Sequence, residues 1–385
     1  MFKSFLQKKD SHKTLLSIVL ISILPILALY IPFLFKLDHF FFLKIAEPGF
    51  SNILRNWDGP HYIVVARSFY NPEAIIPLLF TDVSPSYYPA HFPLYPLFIR
   101  LFSPFLGFFY SGLFVTIMSG ILLNYMFYSV AKKYTQHPLL LTAVFTVFPP
   151  RFLVTRAILA PEPLMVLCMF LSLVAWENKE YFKGALWGSL GILSKVKAGF
   201  LFPAFVASSM EEMFVKKQSF KPSYALAALI PLTLCALFGY FYYQTGDFFA
   251  FLVAEKGNSL FVTFPFAQFN HDAVWAQSIW LEDVVFYFAA MILLTVTLFY
   301  SKQNRSWFYF SLFYTAFLIF VPQRDITRFS YPLYPLFLLT FEKFFTSKHF
   351  KIVLILLLPA IYFYTLNFIL HNQAPIANPG QLLGL

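Results

Sequence analysis

Charge is scarce in this chain. Only 12% of its residues are Asp, Glu, Lys or Arg, 59% are hydrophobic, and the mean hydropathy is +0.67. A soluble domain carries roughly a quarter charged residues, so this composition excludes an ordinary water-soluble globule and fits a polytopic membrane protein. Cysteine is scarcer still. Cys168 and Cys235 both lie in apolar runs, which excludes a disulfide framework and a cysteine metal cluster. No HExxH pattern occurs, and Asp82 with Glu73 lack the tight spacing of a carboxylate pair that holds Mg²⁺ or Mn²⁺. A divalent metal is therefore possible but not favoured, and no other cofactor is implied.

What the chain has in excess is aromatic surface. Aromatics make up 21% of it, with 53 Phe, bulk that fills the interior and the interfacial belts where Tyr and Trp settle. The first apolar run, 15–35, is too long for a signal-peptide core and reads as a retained first span. Further spans are expected near 109–131, 138–150, 163–176, 184–194, 198–210, 224–245, 284–300, 307–322, 330–344 and 352–370, eleven in all. Several fall short of the roughly 20 residues a crossing helix needs. Short helices at membrane depth must line a cavity or pack within protein. The expected fold class is all-α, a single integral-membrane domain over 1–385 with a long first outer loop at 36–100 and a second at 246–283.

The charges support one orientation. Placing the amino terminus and alternate loops in the cytoplasm gathers sixteen of the 28 basic residues there, against six of the 18 acids, so the whole formal charge of +10 falls on that face. The basic balance thus reports topology in a cell membrane, and nucleic acid is not implied as a partner. Basic residues on the outer face are the ones topology leaves unexplained. They cluster in loop 36–100, in 151–162, at Lys195 and Lys197, and in 324–328. A bound anion accounts for them; pairing with the twelve outer acids is the plainer alternative.

The stretch from Arg55 to Arg100 is the longest polar interval. Trp57-Asp58-Gly59-Pro60 reads as a helix start, with Asp58 suited to cap it and Pro60 tolerated in the first turn. Tyr62, Val65, Ala66 and Phe69 follow at helical spacing, predicting an amphipathic juxtamembrane helix on the membrane surface with His61 close to Asp58. On residue pattern alone Asp58 fits a cap better than a base. Tyr87-Tyr88-Pro89-Ala90-His91-Phe92-Pro93-Leu94-Tyr95-Pro96 then closes the loop, its prolines fixing a wall of aromatic faces suited to a sugar or prenyl chain. Ordinary packing under a loop explains any one of these rings equally well. Pro93-Leu94-Tyr95-Pro96-Leu97-Phe98 recurs as Pro332-Leu333-Tyr334-Pro335-Leu336-Phe337, each copy opening a helix beneath an outer turn.

An outer-face Trp-Asp followed by His-Tyr on a short helix, then FPLYP leading into LFIRLF, resembles the integral-membrane mannosyltransferases of the GT-C superfamily, specifically the GPI mannosyltransferase II type and its prokaryotic relatives. Ala160-Pro161-Glu162-Pro163 stands where that family has a Ser-Glu pair, with Pro161 in place of Ser. Ser194-Lys195-Val196-Lys197-Ala198-Gly199 stands where it has a Thr-Arg-Pro turn, with Lys195 in place of Arg. Arg324 to Phe329 resembles the basic turn that faces the lipid carrier.

The resemblance implies a hexosyltransferase, by family a mannosyltransferase, that uses a polyprenyl-phosphate sugar donor within membrane lipid and a glycan, lipid or protein hydroxyl as acceptor. By resemblance and position, Asp58 is the candidate general base of an inverting transfer on the extracytoplasmic face. His61, Tyr88, His91 and Glu162 are candidates to hold substrate. Lys195, Lys197, Arg324 and Arg328 are candidates for the donor phosphate. Arg100 is a further substrate-binding candidate and, with Arg151 and Arg156, equally a structural partner of outer acids. A transporter or flippase of lipid-linked sugar is the alternative, with the half-helices around Lys195 holding substrate at mid-membrane. The long first outer loop favours the enzyme.

Overall fold

The structure is a computed structural model that describes residues 11–46, 49–56, 58–256, 265–266, 269, 282–322, 325–374 and 376. It is helical almost throughout, because runs of Leu, Ile and Phe must satisfy every backbone group internally once water is excluded. The helices of seven residues or more among the described residues are α1 (His12–Leu34), α2 (Gly59–Ser68), α3 (Leu94–Ala131), α4 (Pro138–Val147), α5 (Pro150–Ala157), α6 (Glu162–Glu177) and α7 (Tyr181–Ser194). They continue as α8 (Leu201–Met210), α9 (Leu229–Thr245), α10 (Ala250–Lys256), α11 (Glu282–Ser301), α12 (Arg305–Ile319), α13 (Tyr334–Thr340) and α14 (Lys348–His371). A two-residue hairpin, β1 (His39–Phe40) with β2 (Leu43–Lys44), is the sheet among the described residues.

Six helical stretches are long and apolar enough to cross a bilayer: His12–Leu34, Leu94–Ala131, Val196–Val215, Pro222–Thr245, Glu282–Ser301 and Lys348–His371. Helices α4 and α5, bent by 77° at the cis Phe148–Pro149 bond, make a seventh if counted as one broken span. The chain is an all-α, multi-pass membrane protein. The four remaining expected spans fall on α6, α7, α12 and α13, of 16, 14, 15 and 7 residues, shorter than a free-standing crossing needs.

The chain divides into two compact units. The first comprises 1–66, 95–167 and 341–385. Within it Asn124 on α3 donates to Ser22 Oγ on α1 (2.8 Å) and to Thr146 Oγ1 on α4 (2.9 Å), tying three helices through one amide. Tyr30 OH donates to Ala157 O (2.6 Å), and the Arg151 guanidinium lies 3.5 Å over the Phe368 ring. Helix α3 is two pieces, broken at Gly107 with φ 71°, ψ 165°, a conformation only glycine adopts readily. Before the break, residues 94–106 expose Leu97, Leu101 and Phe105 at four-residue spacing while burying Tyr95 and Ile99.

The second unit comprises 67–94 and 168–340. Trp176 stacks on Phe205 at 4.1 Å, Ser172 Oγ donates to Gly184 O (2.7 Å), and Thr295 Oγ1 shares a hydrogen bond with Ser311 Oγ (2.7 Å). The 3₁₀ turn Pro85–Ala90 packs on α10, and Phe92 meets Phe251 of that helix at 5.0 Å. Part of the segment 246–283 thus covers the aromatic wall of 85–92. Its Trp275 and Trp280 lie outside the described residues.

One expectation is corrected here. Helix α2 is not an amphipathic helix with a face open to water: Gly59 to Ala66 are buried without exception. Ile63 and Val64 fill the face an interfacial helix would give to water, so the segment is apolar all round and packs inside.

Candidate carboxylate and cation sites

In the first unit the candidate site grows from the start of α2. Asp58 precedes the helix, and its carbonyl accepts the first helical bond, from Tyr62 N–H (3.1 Å). Its carboxylate is in electrostatic contact with His61, which is 8% exposed. Burial pushes the His61 imidazole below its ordinary range, and the Asp58 charge partly offsets this. Trp57 lies outside the described residues.

A relay of contacts then leads from α2 to Glu162. The Tyr62 ring meets Tyr95 edge-on at 5.3 Å. Tyr95 OH donates to Gly112 O (2.9 Å) and shares a hydrogen bond with Thr116 Oγ1 (2.9 Å). Thr116 Oγ1 in turn donates to Ala160 O (3.1 Å), two residues before Glu162. Glu162 is 2% exposed, sits in the first turn of α6 where a helix favours an anion, and is in electrostatic contact with Tyr95. The start of α2 also touches the segment before Glu162 directly: a Cβ at Gly59 would stand 2.9 Å from Leu159 Cβ and 3.2 Å from Leu159 O. The start of α2 and the segment leading to Glu162 thus pack together beside one buried tyrosine pair.

Arg100 lies beside α2. Its Nη1 donates to Ala66 O in α2 (3.4 Å), a cation placed against the carbonyl end of that helix. Arg156 is buried, with its guanidinium 4.5 Å over Phe152 and Nη1 donating to Gly120 O (3.4 Å).

The second unit holds the other candidates. Tyr88 and His91 are enclosed, ring centroids 6.3 Å apart, and Tyr70 OH donates to His91 O (2.7 Å). Burial pushes the Tyr88 phenol above its ordinary value, so it stays protonated. Phe69 and Tyr70, with φ of 46° and 70°, form a strained turn that Tyr240 OH holds by donating to Phe69 O (3.2 Å). Lys195 is the extended break between α7 and the 3₁₀ turn Val196–Phe200. Lys197 Nζ lies 3.1 Å over the ring of Phe329, next in sequence to Arg328. Tyr314 OH fixes that turn by donating to Phe329 O (2.8 Å), and its ring packs on Phe200 at 5.6 Å. Lys197 and Arg328 therefore share a neighbourhood, while Arg324 lies outside the described residues.

Reading residues by chemistry alone misses Tyr95, Thr116 and Leu159, which hold the carboxylate group together. Their trace in the sequence is Gly112, Thr116 and Gly120, small residues four apart in a helix otherwise full of Phe and Leu, where another backbone segment can approach. Among the described residues no three His, Cys, Asp or Glu stand close enough to hold a metal ion. No protein-family model, curated protein or solved structure matches this chain.

Proposed function

We propose that this protein is a membrane glycosyltransferase that moves a hexose, mannose by family resemblance, from a polyprenyl-phosphate donor to a hydroxyl acceptor at the extracytoplasmic face. The observation that supports the reading is the close packing of Gly59, next to Asp58, on Leu159, three residues before Glu162, with the Tyr62–Tyr95 pair beside them and Glu162 in electrostatic contact with Tyr95. Asp58 and Glu162 are the two carboxylates that the resemblance to GT-C mannosyltransferases singles out.

The chemistry asks little of the protein beyond these groups. Asp58 accepts the proton of the acceptor hydroxyl as its oxygen attacks the anomeric carbon, the C–O bond to the donor phosphate breaks, and the configuration inverts. His61, held neutral by burial, orients Asp58 or the acceptor. Glu162 receives hydrogen bonds from sugar hydroxyls. The leaving phosphate needs charge stabilisation, which the family resemblance assigns to lysine and arginine side chains; a lysine meets it as a point charge without the bidentate fit of an arginine.

The test is transfer from a panel of labelled polyprenyl-phosphate sugars by the purified protein, with Asp58→Asn beside wild type. One donor should be consumed, and the substitution should slow transfer at least about 100-fold, the usual worth of a positioned base. Labelled lipid that crosses liposomes equally well with both proteins, and no turnover, would replace the enzyme by a transporter.

A further inference from the structure

In the second unit the end of α6, the turns following α8 and the start of α12 enclose a cavity of about 100 Å³. That is room for about three waters, or for one tetrahedral anion in their place. It lies on the side that the charge pattern assigns to the cytoplasm and uses none of the residues placed in the transfer reaction.

The acids lining this cavity are already engaged. Glu177 Oε1 accepts from Ser306 N–H (2.6 Å) and Ser306 Oγ (2.7 Å). Glu212 accepts from Tyr224 OH (2.5 Å) and lies 3.5 Å from Lys221 Nζ. Arg305 Nε is spent on Glu211 (2.7 Å). What remains is Lys179, Lys216 and Lys302, one from each of three turns; none has a carboxylate within ion-pair distance among the described residues, and Lys179 is in longer-range electrostatic contact with Glu212. Between them Ser209, 5% exposed, lines the cavity with a buried hydroxyl that has no hydrogen-bond partner. Lys179, Lys302 and Asn304 adopt left-handed backbone with φ of 63°, 55° and 48°.

We infer that this cavity binds a phosphate group, free or as a monoester, with Lys179, Lys216 and Lys302 surrounding its oxygens and Ser209 Oγ donating from the floor. Three ammonium groups and a hydroxyl match a group that carries between one and two negative charges and about three strong acceptor oxygens. A single carboxylate would leave part of that donor set unused. The ligand is either free inorganic phosphate or the headgroup of a phosphatidic-acid-type lipid.

The experiment is thermal melting of the full chain in phosphatidylcholine nanodiscs titrated with inorganic phosphate at constant ionic strength, and in nanodiscs doped with phosphatidic acid. A saturable rise of Tm with inorganic phosphate identifies the free anion; a rise confined to the doped discs identifies the lipid headgroup. In either arm the triple substitution Lys179→Gln, Lys216→Gln, Lys302→Gln should abolish the rise. Lys183→Gln, a lysine paired with Glu180 at 3.3 Å outside the cavity, should keep it. Ser209→Ala should weaken binding roughly tenfold, one hydrogen bond to a charged group, and serves alone if the triple variant fails to fold. No rise in either arm, or one that survives both the triple variant and Ser209→Ala, overturns the proposal.

Discussion

At Gly59 one hydrogen atom holds the carboxylate group together. The residue lets the start of α2 approach Leu159 so closely that an added methyl would stand 2.9 Å from Leu159 Cβ and 3.2 Å from a backbone oxygen. The backbone oxygen cannot swing aside as a side-chain tip does, so Gly59→Ala must push Asp58 away from the segment leading to Glu162. The expected cost is about 1–3 kcal/mol, the range for overpacking, seen as a lower Tm together with slower sugar transfer. His61 sets a second expectation, in pH. Burial lowers its pKa in the folded protein, so below about 6.5, the unperturbed value, the unfolded chain takes up a proton that the folded chain resists. The unfolded state then binds more protons, and stability falls as pH drops. Melting from pH 8 to pH 5 should show a decline in wild type that is shallower in His61→Asn.

At the scale of elements, polar side chains between helices supply specificity that Leu and Phe cannot. Asn124 reaches α1 and α4 at once through Ser22 and Thr146. Interhelical hydrogen bonds in membrane proteins average about 0.6 kcal/mol each, so Asn124→Ala should lower unfolding free energy by about 1 kcal/mol, measurable by denaturant titration in detergent. The short helices follow a related logic. Helices α6 and α7 lack the length to stand alone in lipid, and they are held by contacts that lipid does not offer, Ser172 Oγ on Gly184 O and Trp176 stacked on Phe205.

For the molecule as a whole, the charge asymmetry predicts sidedness. In a chain with Cys168 and Cys235 replaced, a single cysteine at Asp38, in the exposed turn after α1, should react with a membrane-impermeant maleimide added outside intact cells. One at Lys133, just beyond the end of α3, should react only after permeabilisation. The reverse pattern would place the Asp58–Glu162 group on the cytoplasmic side and remove the lipid-linked donor from the proposed reaction.

Class and segment order were legible in the sequence, because the free energy of placing a helix in lipid is close to a sum over its own residues. All eleven apolar segments read from hydropathy are found as helix, whole or broken, and the helix start at Asp58-Gly59-Pro60 is where capping chemistry puts it. The surroundings of α2 were not legible in the same way. Tyr62, Val65, Ala66 and Phe69 fit an interfacial helix and a buried one equally, and only Ile63 and Val64 hint at the second. Long-range meetings belong to tertiary structure alone. The start of α2 reaches Leu159, and Lys197 the ring of Phe329, because Gly59, Gly112 and Thr116 leave room for a distant backbone and because Tyr95 and Tyr314 spend their hydroxyls on carbonyls or hydroxyls elsewhere in the chain. Such contacts depend on which surfaces are brought opposite one another, a property of packed pairs that no single segment carries.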